Sequence, residues 1–381
     1  MDVQNRSRPD LSLHKNTVKM QEILAAVILF YFHLNYAVAS LLMLLPLKSS
    51  EPKKTPLVSI IITTRNEEAV IEKTLKSVKA LDYPKFEIIV VDSSSDNTAK
   101  IARKYAHVIK DKKGIGKPYA LNLGIKKARG EILYFLDADS IPEKNALKKL
   151  VAALQEKEVA TGMNLVRNKQ TFVARIARLQ ETFFNSIQIV SHYAAGTVML
   201  TGKNFAIRKK TLMQLKGFGR VLAEDIDLSV RLYNSKKNVA FTDAKCFGQV
   251  PHRLDWYVKQ QKRWMHGGSS EIAEFFKKPD LARILFWGPL GVALGFSYIF
   301  AVIFLVAYLF TGSWIFLTGL MMILLTYFIS TARFLNIGDF LLVPVTLLLL
   351  GVLQIFIAIN AAIMKLTGKE MRWEKTPKSR N

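Results

Sequence analysis

The sequence is poor in cysteine and in acid. Cys246 is the only cysteine among 381 residues, so no internal disulfide can staple the fold. That fits a reducing compartment for the soluble part of the chain. Asp and Glu number 30 against 54 Lys and Arg, a formal net charge of +24. A cationic excess this large calls for a polyanionic partner. Nucleic acid, a nucleoside diphosphate and anionic lipid headgroups all qualify, the last at roughly 1 kcal/mol per Lys or Arg near the surface. Zinc-finger spacing, an RNA-recognition signature and basic-aromatic tracts are missing, so no nucleic acid is expected among the partners. The Gly-Lys-Ser/Thr ending of a P-loop is missing too. Gly114-Ile115-Gly116-Lys117-Pro118 opens a helix in neither the P-loop nor the dinucleotide pattern, although Lys117 could meet a phosphate at that helix N-terminus.

Charge is scarce in two long stretches, 22–47 and 283–366, while 51–280 reads as an ordinary soluble domain. Glu22–Leu47 carries no charge after Glu22 and is long enough to cross about 30 Å of hydrocarbon. It is too long for a signal-peptide core, and Leu44-Leu45-Pro46-Leu47 is not a small-residue cleavage site, so it reads as an uncleaved anchor. The C-terminal stretch breaks at Thr311-Gly312-Ser313 and at Arg333–Asp339, giving three candidate spans near 285–310, 314–332 and 340–364. Trp287 suits the headgroup level, and Pro289 and Gly291 allow a bend. The expected organisation is a tail (1–21), an anchor (22–47), a soluble domain (51–280) with interfacial helices near 256–280, a helical membrane region (283–366) and a basic tail (367–381). If the soluble domain is cytosolic and all four segments span, both termini lie outside. Lys365, Lys369, Arg372, Lys375, Lys378 and Arg380 then contradict the positive-inside tendency. A re-entrant or interfacial segment among the four would resolve the conflict.

The soluble domain opens with Leu57–Thr63, a continuous apolar run of the kind found in strands buried on both faces. A helix is expected near 67–80, with Val70, Ile71, Leu75 and Val78 on one side, then a strand at Phe86–Val91, a helix from Thr98 to Lys104 and a strand at Ile132–Leu136. This alternation predicts an α/β, mostly parallel sheet. Ligands on such sheets bind beyond the carboxyl ends of the strands. There the chain places Thr63-Thr64-Arg65-Asn66-Glu67, Asp92-Ser93-Ser94-Ser95-Asp96 and Asp137-Ala138-Asp139.

Two carboxylates closing an apolar strand are costly to desolvate unless a cation neutralises them. Asp137 and Asp139 therefore suit Mg²⁺ or Mn²⁺ bridging to substrate phosphates, with a plain turn before the next helix as the alternative. In Glu224-Asp225-Ile226-Asp227, Asp225 could deprotonate an acceptor hydroxyl; equally, these acids favour the positive end of a helix dipole. Gln260, Arg263 and Trp264 share one helix face that offers an amide, a guanidinium for phosphate oxygens and an indole for a sugar ring. The same pattern also fits an amphipathic helix lying on a membrane.

In order and spacing, Thr64-Arg65-Asn66-Glu67, Asp92, Gly116-Lys117, Asp137-Ala138-Asp139, Glu224-Asp225 and Gln260-x-x-Arg263-Trp264 resemble the family-two glycosyltransferases. The likeness is greatest to the membrane-bound branch with cellulose, chitin and hyaluronan synthases, and it covers residues 57–265. It implies a GT-A fold, a nucleotide-sugar donor (usually a UDP-sugar) and divalent Mg²⁺ or Mn²⁺. By resemblance, Thr64, Glu67 and Asp92 hold the nucleoside. Lys117 and Asp137 surround the diphosphate and sugar, Asp139 ligates the metal with Asp137 beside it, and Asp225 is the general base. Gln260 and Arg263 hold the diphosphate, while Trp264, with Gln260 and Glu224, borders the acceptor. Two positions depart from the pattern: Arg65 stands where a tyrosine is usual, and Ser93 where a second acid is usual. Thr201-Gly202-Lys203-Asn204 replaces a cysteine-containing segment that lines the acceptor in relatives.

The expected chemistry is direct displacement with inversion, extending a β-linked polysaccharide. Transfer of one sugar to a lipid acceptor is the alternative, and three C-terminal spans make a narrow conduit unless the chain forms a homo-oligomer. A non-catalytic nucleotide-sugar sensor would lack the base, yet Asp225 and Arg263 are both present. The expected location is the cell membrane, in contact with its lipids, with the catalytic domain in the cytosol.

Overall fold

The apolar runs form the strands that their composition demands. A computed structural model describes residues 11–47, 50–276, 293–334 and 337–367. Its sheet contains β1 (Val58–Thr64), β2 (Phe86–Asp92), β3 (His107–Lys110), β4 (Ile132–Asp137), β5 (Ile141–Pro142), β6 (Val159–Val166), β7 (Phe205–Arg208) and β8 (Val239–Gly248). Their spatial order is β3-β2-β1-β4-β7-β6-β8-β5. β1 pairs in parallel with β2 and β4, and the register sets Thr64 beside Asp92 and Thr63 beside Asp137. Three polar strand ends thus emerge at one edge, as the alternation predicts. The sheet is mixed further on, because β7 runs antiparallel to both β4 and β6.

Both faces of the sheet are covered, which is why its strands read as unbroken apolar runs. Val58, Ile60 and Ile62 turn to one side and meet α2 (Ile71–Lys79), α3 (Thr98–Ala102) and α5 (Ala146–Ala153). Ile61, Leu133 and Phe135 turn to the other and meet α4 (Lys117–Lys127) and α8 (Glu224–Asn234). Cys246 is buried in the first layer as a free thiol.

Three helical stretches are long and apolar enough to cross a membrane: Ala26–Met43, Trp314–Ala332 and Gly338–Met364. The first lies in α1 (Leu11–Met43) and the second is α11 (Trp314–Ala332). The third runs through α12 (Ile337–Phe340) into α13 (Val343–Leu366). The remaining expected span is represented by α10 (Ser297–Thr311), whose 15 residues extend only about 22 Å. Trp287, Pro289, Gly291 and the basic tail beyond Thr367 lie outside the described residues, as do Lys365's side chain and the end of the expected interfacial region at 277–280.

The bundle joins the sheet domain through α6 (Phe172–Ala195). Thr171 caps this helix by accepting a hydrogen bond from the Ala174 N–H, and Gly196 ends it at a φ of 65°, where a side chain is disfavoured. One side of α6 stacks Phe183 on Tyr327 of α11, with ring centroids 3.7 Å apart. At the bundle end nearest the sheet, Arg333 donates to the carbonyls of Met43 and Leu45. Nearby, Arg175 and Arg178 of α6 both grip Asp339, whose side chain is only 3% exposed. Removing one member of a buried ion pair strands the others. Asp339→Asn should therefore lower stability by about 3 kcal/mol, read as a fall in melting temperature in detergent. An unchanged melting curve would mean that the two arginines do not depend on this carboxylate.

Candidate active site

The loops after β1 and β2 are stitched together at the sheet edge. Asn66 adopts a φ of 56°, a left-handed conformation that asparagine tolerates. This turn lets its N–H donate to Ser94 Oγ while its Oδ1 accepts the Ser95 N–H. The Glu67 N–H donates to Thr98 Oγ1. Thr64 and Glu67 line the cleft that opens here, with Arg65 and Ser93 beside them. Asp92 does not line it. Its carboxylate is fully buried behind Thr64, accepting from the Thr64 hydroxyl at 2.8 Å and pairing with Lys110 at 2.9 Å. Burial opposes its charge, yet the bonds from Ser94, Lys110 and Thr64 hold its pKa below the usual value.

At the centre of the cleft a lysine gathers carboxylates from distant parts of the chain. Gly116, at a φ of 128°, turns the glycine loop into α4 and sets Lys117 at its first position. Lys117 Nζ lies 3.0 Å from Asp137 Oδ1 and 3.0 Å from Glu224 Oε1, and it donates to the Gly202 carbonyl at 3.2 Å. Burial disfavours the ammonium, but Asp137 and Glu224 together keep its pKa well above the ordinary lysine value. Asp225 follows Glu224 in the first turn of α8 and is half-buried beside this cluster. Burial and the Glu224 charge push its carboxyl up to about 7, against the opposing pull of Lys117. These acids sit in the first turn of α8, as one of the two sequence readings expects; the raised Asp225 carboxyl bears on the other, which is taken up below.

Gly202 is required by this arrangement. At a φ of +71°, a Cβ there would come within 3.0 Å of Asp225 Oδ2 and 3.6 Å of Lys117 Nζ. Two residues on, Asn204 is wholly buried at a φ of 53°. Its amide donates to the carbonyls of Met163 and Ala244, and its Oδ1 accepts from the Tyr134 hydroxyl. The loop carrying Lys203 is thereby fixed. Lys203 enters the cleft from it, in the field of Glu181, Asp139 and Asp137.

Asp139 is buried and accepts the Gln249 N–H at 3.0 Å. Among the described residues, no group of three or more His, Cys, Asp or Glu side chains is placed to hold a metal. Asp137 and Asp139 nonetheless suit a hard cation completed by substrate phosphates, the usual way such ions are bound beside nucleotides. A carboxylate offers about four lone-pair positions, so the lysine on Asp137 does not exhaust that group's capacity.

The far wall comes from α9 (Leu254–Phe276) and α6. Gln260, Arg263 and Trp264 all reach the cleft, as their shared face predicts. Trp264 meets Phe184 of α6 edge to face, with centroids 6.0 Å apart. The neighbouring Gln261 points elsewhere and is bonded to Gln180. The whole cleft holds about 780 Å³, enough for a nucleotide sugar and part of an acceptor. α6 lines it with Phe184 and Ile187 as well as the polar Glu181, Asn185, Gln188 and Ser191. Lys203, Glu181, Gly202 and Asn204 were not among the expected site residues. The Thr201–Asn204 tetrapeptide marked the place, but only long-range packing shows where Lys203 points.

Comparison with known proteins agrees with this geometry. The family model described as "Glycosyl transferase family 2" matches residues 59–216. A Bacillus subtilis protein described as "Probable glycosyltransferase YdaM" is 32% identical over 256 residues, 61% of each chain. The poly-beta-1,6-N-acetyl-D-glucosamine synthase of Staphylococcus epidermidis is 29% identical over 60% of this chain and 59% of its own. The chain thus spans about three fifths of the length of these curated relatives. Among solved structures, a mannosyltransferase from Pyrobaculum calidifontis, determined with GDP-Man and Mn²⁺, superposes with a TM-score of 0.62 at 22% identity. That likeness covers 91% of this chain and 98% of the other, and it supports the GT-A fold. The matched residues take in the polar strand ends, Lys117, Asp137 and Asp139, while Glu224, Asp225 and the Gln-x-x-Arg-Trp face lie beyond them, so the likeness to glycosyltransferase family 2 rests on the first part of the cleft.

Proposed function

We propose that the chain transfers a sugar, with inversion, from a nucleoside-diphosphate donor to an acceptor hydroxyl, working at the inner face of the cell membrane. One observation carries this reading: Lys117, Asp137, Glu224 and Asp225 meet in a single cleft that Asp139, Arg263 and Trp264 also line. Thr64 and Glu67 would receive the nucleoside, with Asp92 acting through Thr64 rather than touching the ligand. Lys117 and Arg263 would hold the diphosphate. Asp225, its pKa near the operating pH, would take the acceptor proton as the hydroxyl attacks the anomeric carbon from the face opposite the leaving group. Arg263 then offsets the charge that develops on the departing diphosphate. A divalent ion held by Asp137 and Asp139 would supply further positive charge at that oxygen.

The acceptor reading favoured here is a growing β-linked polysaccharide, supported by the likeness to a poly-N-acetylglucosamine synthase. A second reading, one transfer to a lipid acceptor, is supported by α6, which lines the cleft with Phe184 and Ile187 and packs against the helices that could span a membrane. Sizing the products of the purified chain with a panel of nucleotide sugars separates the two. A ladder or high polymer supports the first, and a single added sugar on lipid supports the second. Absence of nucleoside-diphosphate release from every donor would overturn both and favour a sensor.

A further inference from the structure

Lys203 differs from Lys117, the other lysine that lines the cleft. Lys117 is committed to Asp137 and Glu224, each at 3.0 Å. Lys203 makes no ion pair or side-chain hydrogen bond among the described residues, although it is half-buried and lines the same cavity. It is not loose. Asn204, wholly buried and bonded to Met163, Ala244 and Tyr134, anchors the next residue. The side chain then runs to the end of β8, where its Nζ would lie 3.0 Å from a Cβ added at Gly248. The next residue, Gln249, donates its N–H to Asp139. A fixed ammonium therefore stands at the Asp139 edge, where a metal-bridged diphosphate would lie.

A cation so placed attracts a polyanion and opposes a second cation. Resting on the nucleotide-sugar reading above, we propose that Lys203 binds the donor diphosphate directly and takes over part of the divalent ion's role. Nucleotide binding by this chain should then persist, weakened, when metal is removed. The contact has the strength of a charge-assisted hydrogen bond, worth about 10- to 100-fold in affinity.

The test is calorimetric binding of UDP and of GDP to the full-length chain in detergent, with Mn²⁺ and with EDTA. The expected result is that the wild type loses no more than about 10-fold in affinity on metal removal. Lys203→Met, which keeps the aliphatic stem, should bind in Mn²⁺, which shows that it is folded, and lose about 30-fold more than the wild type in EDTA. Lys203→Arg should restore binding in EDTA. Loss of all wild-type binding in EDTA, or a Lys203→Met variant that matches wild type in both conditions, would overturn the inference and leave the transferase reading standing. Failure of both nucleotides to bind even with Mn²⁺ would overturn the inference and the transferase reading together.

Discussion

Asp225→Asn is expected to lower kcat by about 10²- to 10⁴-fold, the usual contribution of a general base, with donor affinity little changed. The amide keeps the shape of the carboxylate but cannot accept the acceptor's proton. A pH profile gives an independent readout. Burial and Glu224 push the Asp225 carboxyl up to about 7, and the base works only when deprotonated. In the wild type, kcat/KM should therefore rise with pH through about 7, and this limb should vanish in Asp225→Asn. Stability should respond with the opposite sign. The folded pKa lies above the ordinary aspartate value of about 3.9, so between these pH values the folded chain holds a proton that the unfolded chain has released. Asp225 thus costs stability increasingly as pH rises through that window, and the cost is complete above pH 7. The inactive variant should melt higher than wild type at pH 8. A variant that retains wild-type turnover, or melts lower at pH 8, would remove Asp225 from this role.

Lys117→Met should be almost as damaging, for a different reason. Its ammonium is paired with both Asp137 and Glu224, and it opposes the rise in the Asp225 pKa. Without it, three carboxylates face one another in a partly desolvated cleft. The lysine side chain is 29% exposed, so a loss of about 3 kcal/mol, the low end for breaking a buried pair, is the appropriate scale. The residual activity should carry an acid limb moved above pH 7, because the group that lowered the Asp225 pKa is gone. A limb that stays at pH 7, with donor affinity intact, would mean that Lys117 neither tunes Asp225 nor touches the diphosphate.

What could be read in the sequence follows from how local each signal is. β1, β2 and β4 announce themselves because both their faces are buried, and their ends fall within one residue of those observed. The helix expected from residue 67 begins only at Ile71, since Asn66 takes a left-handed turn to reach Ser94 and Ser95. The Gln260, Arg263 and Trp264 face was legible because helical spacing alone brings these side chains together. Asp92 fell in the right place but behind the wall, because a strand's pattern does not say which carboxylate a neighbouring lysine will claim. Lys110, 18 residues on, claims this one. Lys203 and Glu181 were illegible for a related reason. They sit on a loop and on a helix of their own, and only the packing of α6 and β7 against β6 brings them to Asp139. The membrane half followed the apolar runs, except that α10 is shorter over the described residues than the span expected there.

The most direct test is the anomeric configuration of the newly formed bond. The purified chain would be given a panel of α-linked nucleotide sugars, and the first product examined by proton NMR. A single displacement assisted by Asp225 predicts a β-linked product from at least one donor, formed with release of the nucleoside diphosphate and not formed by Asp225→Asn. An α-linked product, or no transfer from any donor, would contradict it.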